Sequence, residues 1–178
     1  MLDEAASLAP PVLSCGIVSG SFDPITKGHL WLIEKALSLV DFVYVVIASN
    51  PNKKYLFSES DKHHMIFESL KESFSESQIN RIKIEVLNSN KMLVTKAKEL
   101  QVNFIFRGIR NFTDYEYENQ LNSIQKTINP DVETVFLLPP KELTDISSST
   151  IKTLMKYNEG EQIAKNYVTD FVYKQLKK

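Results

Sequence analysis

"GSFDPITKGHLWL", residues 20–32, decides the fold. Before it runs "VLSCGIVS" (12–19), apolar and the length of a buried strand. After it, Leu30, Ile33, Leu37 and Val40 recur at helical spacing and predict a helix over 28–40. A strand, a tight loop and a helix form the unit with which α/β proteins hold phosphates, because free N–H groups at the helix start favour an anion. Neither G-x-G-x-x-G nor G-x-x-x-x-G-K-[ST] is present. Instead His29 stands at the first turn of the helix, after Thr26 and Gly28. A histidine there can donate a hydrogen bond to a phosphate oxygen. Read without its neighbours it would be a packed helix-start residue, but Ser21, Pro24, Thr26 and two glycines are all turn or phosphate-loop residues.

Outward from this unit the chain alternates. "DFVYVVIAS" (41–49) is a β-branched strand, "NPNKKYLF" (50–57) a loop, and Ser58 with Asp61 starts a helix over 59–73. Strands follow at 81–87, 103–108 and 133–138, with a helix at 91–100 and another at 113–128. Thr113 and Glu116 have capping-box spacing, and Tyr117, Leu121, Ile124 and Ile128 make an apolar stripe on that helix. Helices over 147–157 and 161–177 complete the pattern, and "ESFSESQINRIK" (72–83) reads as a surface loop extension. Strand–helix alternation implies one Rossmann-like, doubly wound parallel sheet of about five strands, with helices on both faces and a C-terminal helix. Residues 1–12, ending in Pro10 and Pro11, read as a flexible arm, and 13–178 as a single domain.

Composition narrows the class. Apolar residues make up 43% and charged residues 24% of the 178, with a net charge of −1, so nothing points to nucleic acid. No run of about 18 apolar residues points to a membrane span. The single cysteine, Cys15, allows no intramolecular disulfide and suits a reducing compartment.

Ligands of such sheets sit beyond the carboxyl ends of the strands, and four loops there are chemically loaded. The opening loop is the first. The second carries Lys53 and Lys54, which are a solvated pair unless their position at the sheet edge is used. In "FRGIRN" a strand ends in Arg107, followed by Gly108 and Arg110; these arginines need an anion, whether a ligand or Asp114 and Glu116. The fourth, "ISSST" (146–150), offers three hydroxyls where one would cap a helix. There is no Ser–His–acid set and no cysteine/histidine cluster with zinc spacing. A site of donors without a nucleophile suits direct transfer between phosphates, with the protein supplying position and charge.

"GSFDPITKGH", "RGIRNFTDYEYE" and "ISSST" resemble the motifs of the phosphopantetheine adenylyltransferase family, over residues 14 to 175. The resemblance implies transfer of AMP from ATP to 4′-phosphopantetheine, with Mg²⁺ as the usual metal, in a cytoplasmic homohexamer with coenzyme A as a feedback ligand. It implies that His29 stabilises the α-phosphate in the transition state, and that Ser21, Lys53 and Arg107 hold the acceptor phosphate. Leu93 matches a contact to the pantetheine arm. Ser21, Phe22, His29, Gly108, Ile109, Arg110, Glu118, Leu143, Thr144, Asp145, Ile146, Ser147, Ser148 and Ser149 match ATP-binding positions. Ser21 stands where the family usually has threonine, and Leu143 where it often has tryptophan. Two alternatives are a related nucleotidyltransferase with another phosphorylated acceptor, such as nicotinamide mononucleotide, and a non-catalytic nucleotide-binding regulator. The regulator would be marked by a lost histidine or arginine.

Overall fold

A computed structural model describes residues 13–49 and 53–178; the expected arm, 1–12, and the 50–52 part of the second loop lie outside them. Five parallel strands, β1 (Cys15–Gly20), β2 (Phe42–Ala48), β3 (Ile82–Leu87), β4 (Phe104–Gly108) and β5 (Glu133–Leu137), form one sheet in the order β3-β2-β1-β4-β5. The direction of winding reverses between β1 and β4, which opens a crevice at their carboxyl ends.

Alternate residues of the central strands feed two cores. Val18, Val45, Ile47 and Phe106 face the larger one, and Ile17, Val46 and Ile105 the smaller. The near-continuous apolar character of β2 follows from burial on both faces. Gly16 is fixed by close approach: a Cβ there would collide with the ring of Phe106.

Helix α1 (Lys27–Leu39) buries Leu30, Ile33 and Leu37 in the larger core, as its spacing predicts. Its far end is closed from a distance. Arg81 donates to the carbonyls of Leu37, Val40 and Asp41 at 2.8, 2.6 and 2.7 Å, satisfying groups that a helix end leaves unpaired. Helix α2 (Glu59–Ser73) starts at the Ser58–Asp61 capping box. The extension after it is not all loop, because Ser75 caps a short helix, α3 (Glu76–Ile79). Helix α4 (Leu93–Glu99) packs Leu93 and Ala97 into the smaller core.

Helix α5 (Phe112–Ile128) departs from its sequence reading in two ways. Its cap is Asn111, whose side chain accepts from the Asp114 amide at 2.9 Å, so Thr113 lies inside the helix. Its apolar stripe faces largely outward: Tyr117, Ile124 and Ile128 are 59%, 52% and 44% exposed and Leu121 is half-buried, while Gln125 is buried. Hydrophobic spacing gives a helix its period, and the cleft described below takes its inner side.

After β5 come α6 (Lys141–Thr144), α7 (Ser148–Leu154), α8 (Asn158–Lys165) and α9 (Asp170–Leu176). The helix expected over 147–157 thus ends at Leu154, and the single helix expected over 161–177 is two. Long-range bonds break it. The Tyr167 carbonyl accepts from the Lys27 amide at 2.8 Å, and the Thr169 hydroxyl bonds Ser69 at 2.9 Å. Thr169 then caps α9. No helix among the described residues is long and apolar enough to cross a membrane.

Candidate active site

The loop leaving β1 turns through Phe22, whose φ of 46° lies in the left-handed region. A bulky residue holds that conformation only where its surroundings enforce it. Here the ring is wholly buried and lies 5.0 Å from that of His29. Thr26 is the N-cap of α1 and is extended, and His29 occupies the third helical position. The Thr26 amide donates to His29 Nδ1 at 3.0 Å, and the Thr26 hydroxyl lies 2.9 Å from the same nitrogen.

An N–H can only donate, so Nδ1 must accept and carries no proton. The neutral ring then bears its proton on Nε2. Burial, with the nearby charge of Arg110 second, pushes the His29 pKa down from 6.5 to about 4. At neutral pH the residue is an uncharged ring with its remaining N–H free for the cleft that it lines.

That cleft has a volume of 310 Å³ and lies at the carboxyl ends of β1 and β4. It brings together Ser21, His29, Lys53, Arg107, Gly108, Arg110, Glu118, Leu143 and Ile146 through Ser149. All four loaded loops therefore meet in one place. Phe22, Leu93 and Ile109 put their side chains into the protein interior, and neither they nor Thr144 and Asp145 line the cleft.

The cations differ in how they are held. Arg107 donates to the Ser19 hydroxyl at 2.8 Å and pairs with Glu118 at 3.0 Å. Arg110 makes a two-pronged pair with Asp114, at 2.8 and 3.1 Å, the internal partnership that its spacing allowed. Lys53 is exposed. The three serines also divide. Ser147 caps α7 by accepting from the Thr150 amide, Ser148 donates to the Pro24 carbonyl at 2.8 Å, and Ser149 is exposed at the cleft. Among the described residues no group of three or more His, Cys, Asp or Glu side chains is placed to hold a metal.

The cytidylyltransferase-like family profile matches residues 17–154, more than three quarters of the chain. A phosphopantetheine adenylyltransferase from Chromobacterium violaceum is 35% identical over 160 residues, covering 90% of this chain and 93% of the relative. The enzyme of that name from Thermotoga neapolitana is 38% identical over 141 residues, covering 79% and 83%. The chain belongs to the phosphopantetheine adenylyltransferase family. Among solved structures, Plasmodium falciparum nicotinic acid mononucleotide adenylyltransferase complexed with NaAD superposes with a TM-score of 0.64 at 19% identity. It covers 92% of this chain and 94% of its own and shares the Rossmann-like fold.

As a phosphopantetheine adenylyltransferase family member the chain keeps its arginines and its histidine, which removes the mark of a non-catalytic regulator. Sequence reading passed over Ser19, which holds Arg107, and Trp31, which lines the cleft beside His29. Their signals were present: Ser19 is a polar residue near the end of a buried strand, and Trp31 lies two places past the histidine.

Proposed function

We propose that this protein transfers the adenylyl group of ATP to 4′-phosphopantetheine, giving dephospho-coenzyme A and pyrophosphate. A phosphate oxygen of the acceptor attacks the α-phosphorus of ATP in line, and the bond from that phosphorus to the departing pyrophosphate breaks. The observation that carries this reading is the Thr26–His29 arrangement: a neutral imidazole with Nδ1 committed and its N–H free, in a cleft with three cations. Such a group cannot take a proton through Nδ1 without losing its Thr26 bonds. It can donate from Nε2 to an α-phosphate oxygen as negative charge builds there.

Lys53 and Arg107, with Ser21, hold the acceptor phosphate; Arg110, Glu118, the 143–149 segment and backbone groups of Phe22 and Gly108–Ile109 hold ATP. Leu93 is read as a contact to the pantetheine arm through its backbone, since its side chain is buried. Among the described residues no set fits a resident Mg²⁺, because Glu118 and Asp114 are already paired with arginines. An Mg²⁺ ion would be held here mainly by the phosphates of ATP, which is how Mg²⁺ is usually carried to such sites. The assembly we propose is a homohexamer, supported by the outward apolar face of α5, with coenzyme A as a feedback ligand and the cytoplasm as its compartment.

Mass spectrometry of the protein with ATP, Mg²⁺ and 4′-phosphopantetheine tests the reaction. Dephospho-coenzyme A and pyrophosphate are expected in equal amounts, whereas ADP or free phosphate as primary product overturns the reading. Melting with phosphopantetheine and with nicotinamide mononucleotide separates the two acceptors, since a ligand of the native state raises the midpoint.

A further inference from the structure

Asp23 lies inside the 20–32 stretch, yet it does not line the cleft. It is 1% exposed. Its carboxylate accepts from two successive backbone amides, Leu56 at 3.0 Å and Phe57 at 3.0 Å, and from the Lys152 ammonium at 2.6 Å. Burial alone would raise its pKa. The Lys152 bond and the two amides outweigh that and leave it below the ordinary carboxylate value, so the group is an anion. Enclosed and supplied with donors on both oxygens, it is placed neither to touch substrate nor to exchange a proton with it.

Its partners give it a different task. Among the described residues from 49 to 58 there is no helix or strand, so these amides have no ladder to donate to and need an acceptor from elsewhere. Asp23 is that acceptor, and Lys53 stands three residues before Leu56. Tyr55, between them, packs its ring 3.6 Å from the ammonium of Lys62, a lysine of α2 that is itself 1% exposed. Lys152 comes from α7, and Ser148, at the start of the same helix, donates to the carbonyl of Pro24, the residue after Asp23. The loop bearing His29, the segment bearing Lys53 and the helix that the three serines begin thus meet at one carboxylate.

We propose that Asp23 is a positioning residue for the acceptor: it fixes the 53–57 segment, and Lys53 with it, against the loop that carries His29. The inference rests on the reading of Lys53 as a ligand of the acceptor phosphate. A purely structural carboxylate would, on removal, weaken both substrates alike. A positioning one weakens the acceptor and spares ATP, because the Ser148–Pro24 bond still ties α7 to the histidine loop, and its effect disappears once Lys53 is gone.

Calorimetric titration of wild type, Asp23→Asn, Lys53→Ala and the double variant with 4′-phosphopantetheine and with ATP decides this. Asp23→Asn should weaken 4′-phosphopantetheine about tenfold or more, the size expected for hydrogen bonds to a charged group, with ATP changed less than about twofold. In the Lys53→Ala background it should add nothing. Hydrogen exchange at Leu56 and Phe57 should quicken about tenfold or more while the amides of β1 stay protected, which also reports that the variant is folded. If Asp23→Asn does not fold, Leu56→Pro removes one of the same bonds from the other side, at an exposed side chain, and must show the same acceptor-selective loss. Equal losses for both substrates, full additivity with Lys53→Ala, or unchanged acceptor affinity overturns the positioning role. If Lys53→Ala itself binds 4′-phosphopantetheine as wild type does, the reading of Lys53 fails and takes this one with it.

Discussion

Helices α1 and α5 both begin at the cleft and both carry an apolar stripe at helical spacing, yet they turn opposite faces to the protein. In α1 the stripe is core, and the polar groups gather at its first turn, where His29 stands. In α5 the stripe is surface, and Glu118, Asn122 and Gln125 run along the less exposed side. The contrast teaches that one helix fixes its first-turn histidine by packing, while the other lends a polar wall to the cleft and leaves much of its apolar face exposed.

Truncating the buried side of the contrast should produce the largest effect. Ile33→Ala in α1 is expected to cost about 2–5 kcal/mol, read as the urea midpoint, because Ile33 is fully buried in the larger core. A loss below about 1 kcal/mol would mean that α1 is not anchored as described. His29→Ala should lower kcat by about 10²–10³ while ATP affinity changes little, as for the loss of one preorganised donor. Turnover within a few-fold of wild type would remove the histidine from the reaction.

Between β4, which ends with Arg107 and Gly108, and the start of α5, the two arginines sharpen the contrast further. Arg107→Lys should weaken phosphopantetheine and spare ATP, and Arg110→Lys the reverse, each by about tenfold or more, since lysine cannot grip phosphate with two parallel bonds. Equal losses for both ligands in both variants would make them a structural pair tied to Glu118 and Asp114.

The His29 pKa gives a smaller, pH-dependent effect. It is about 4 in the folded protein against about 6.5 unfolded, so between those values the unfolded chain binds the proton that the folded one refuses. Stability from this group is complete above pH 6.5 and is lost as the pH falls toward 4. From pH 7 to 5 wild type should lose about 1–2 kcal/mol more than His29→Asn. Parallel curves would refute the depressed value. The smallest effect belongs to the outer face of α5. Ile124→Asp should change the dissociated subunit by no more than about 0.5 kcal/mol, yet reduce the assembly mass in light scattering. An unchanged mass would leave that face outside the interface.

Much of this was legible in the sequence for local reasons. The β-branched run of β2 and the Ser58–Asp61 start of α2 are decided by residues within one or two turns of each other, and the structure reproduces them nearly residue for residue. The convergence of the four loops followed from the parallel alternation itself. What was not legible depends on partners far along the chain. The break between α8 and α9 is made by Lys27 and Ser69, more than 95 residues away. The outward turn of the α5 stripe depends on a cleft that does not exist until the sheet has formed. The separate tasks of Ser147, Ser148 and Ser149 depend on where Pro24 comes to rest.

The bonds from residues 148–167 back to the opening loop also set an order in time. Ser148 reaches Pro24, Lys152 reaches Asp23, and the Tyr167 carbonyl meets Lys27, spans of 124, 129 and 140 residues. On a ribosome adding ~5–20 residues per second, the histidine loop is made roughly 6–30 s before its last supports are synthesised. The turn that carries His29 is thus among the first segments of the nascent chain to emerge and among the last to receive all of its hydrogen-bonded supports.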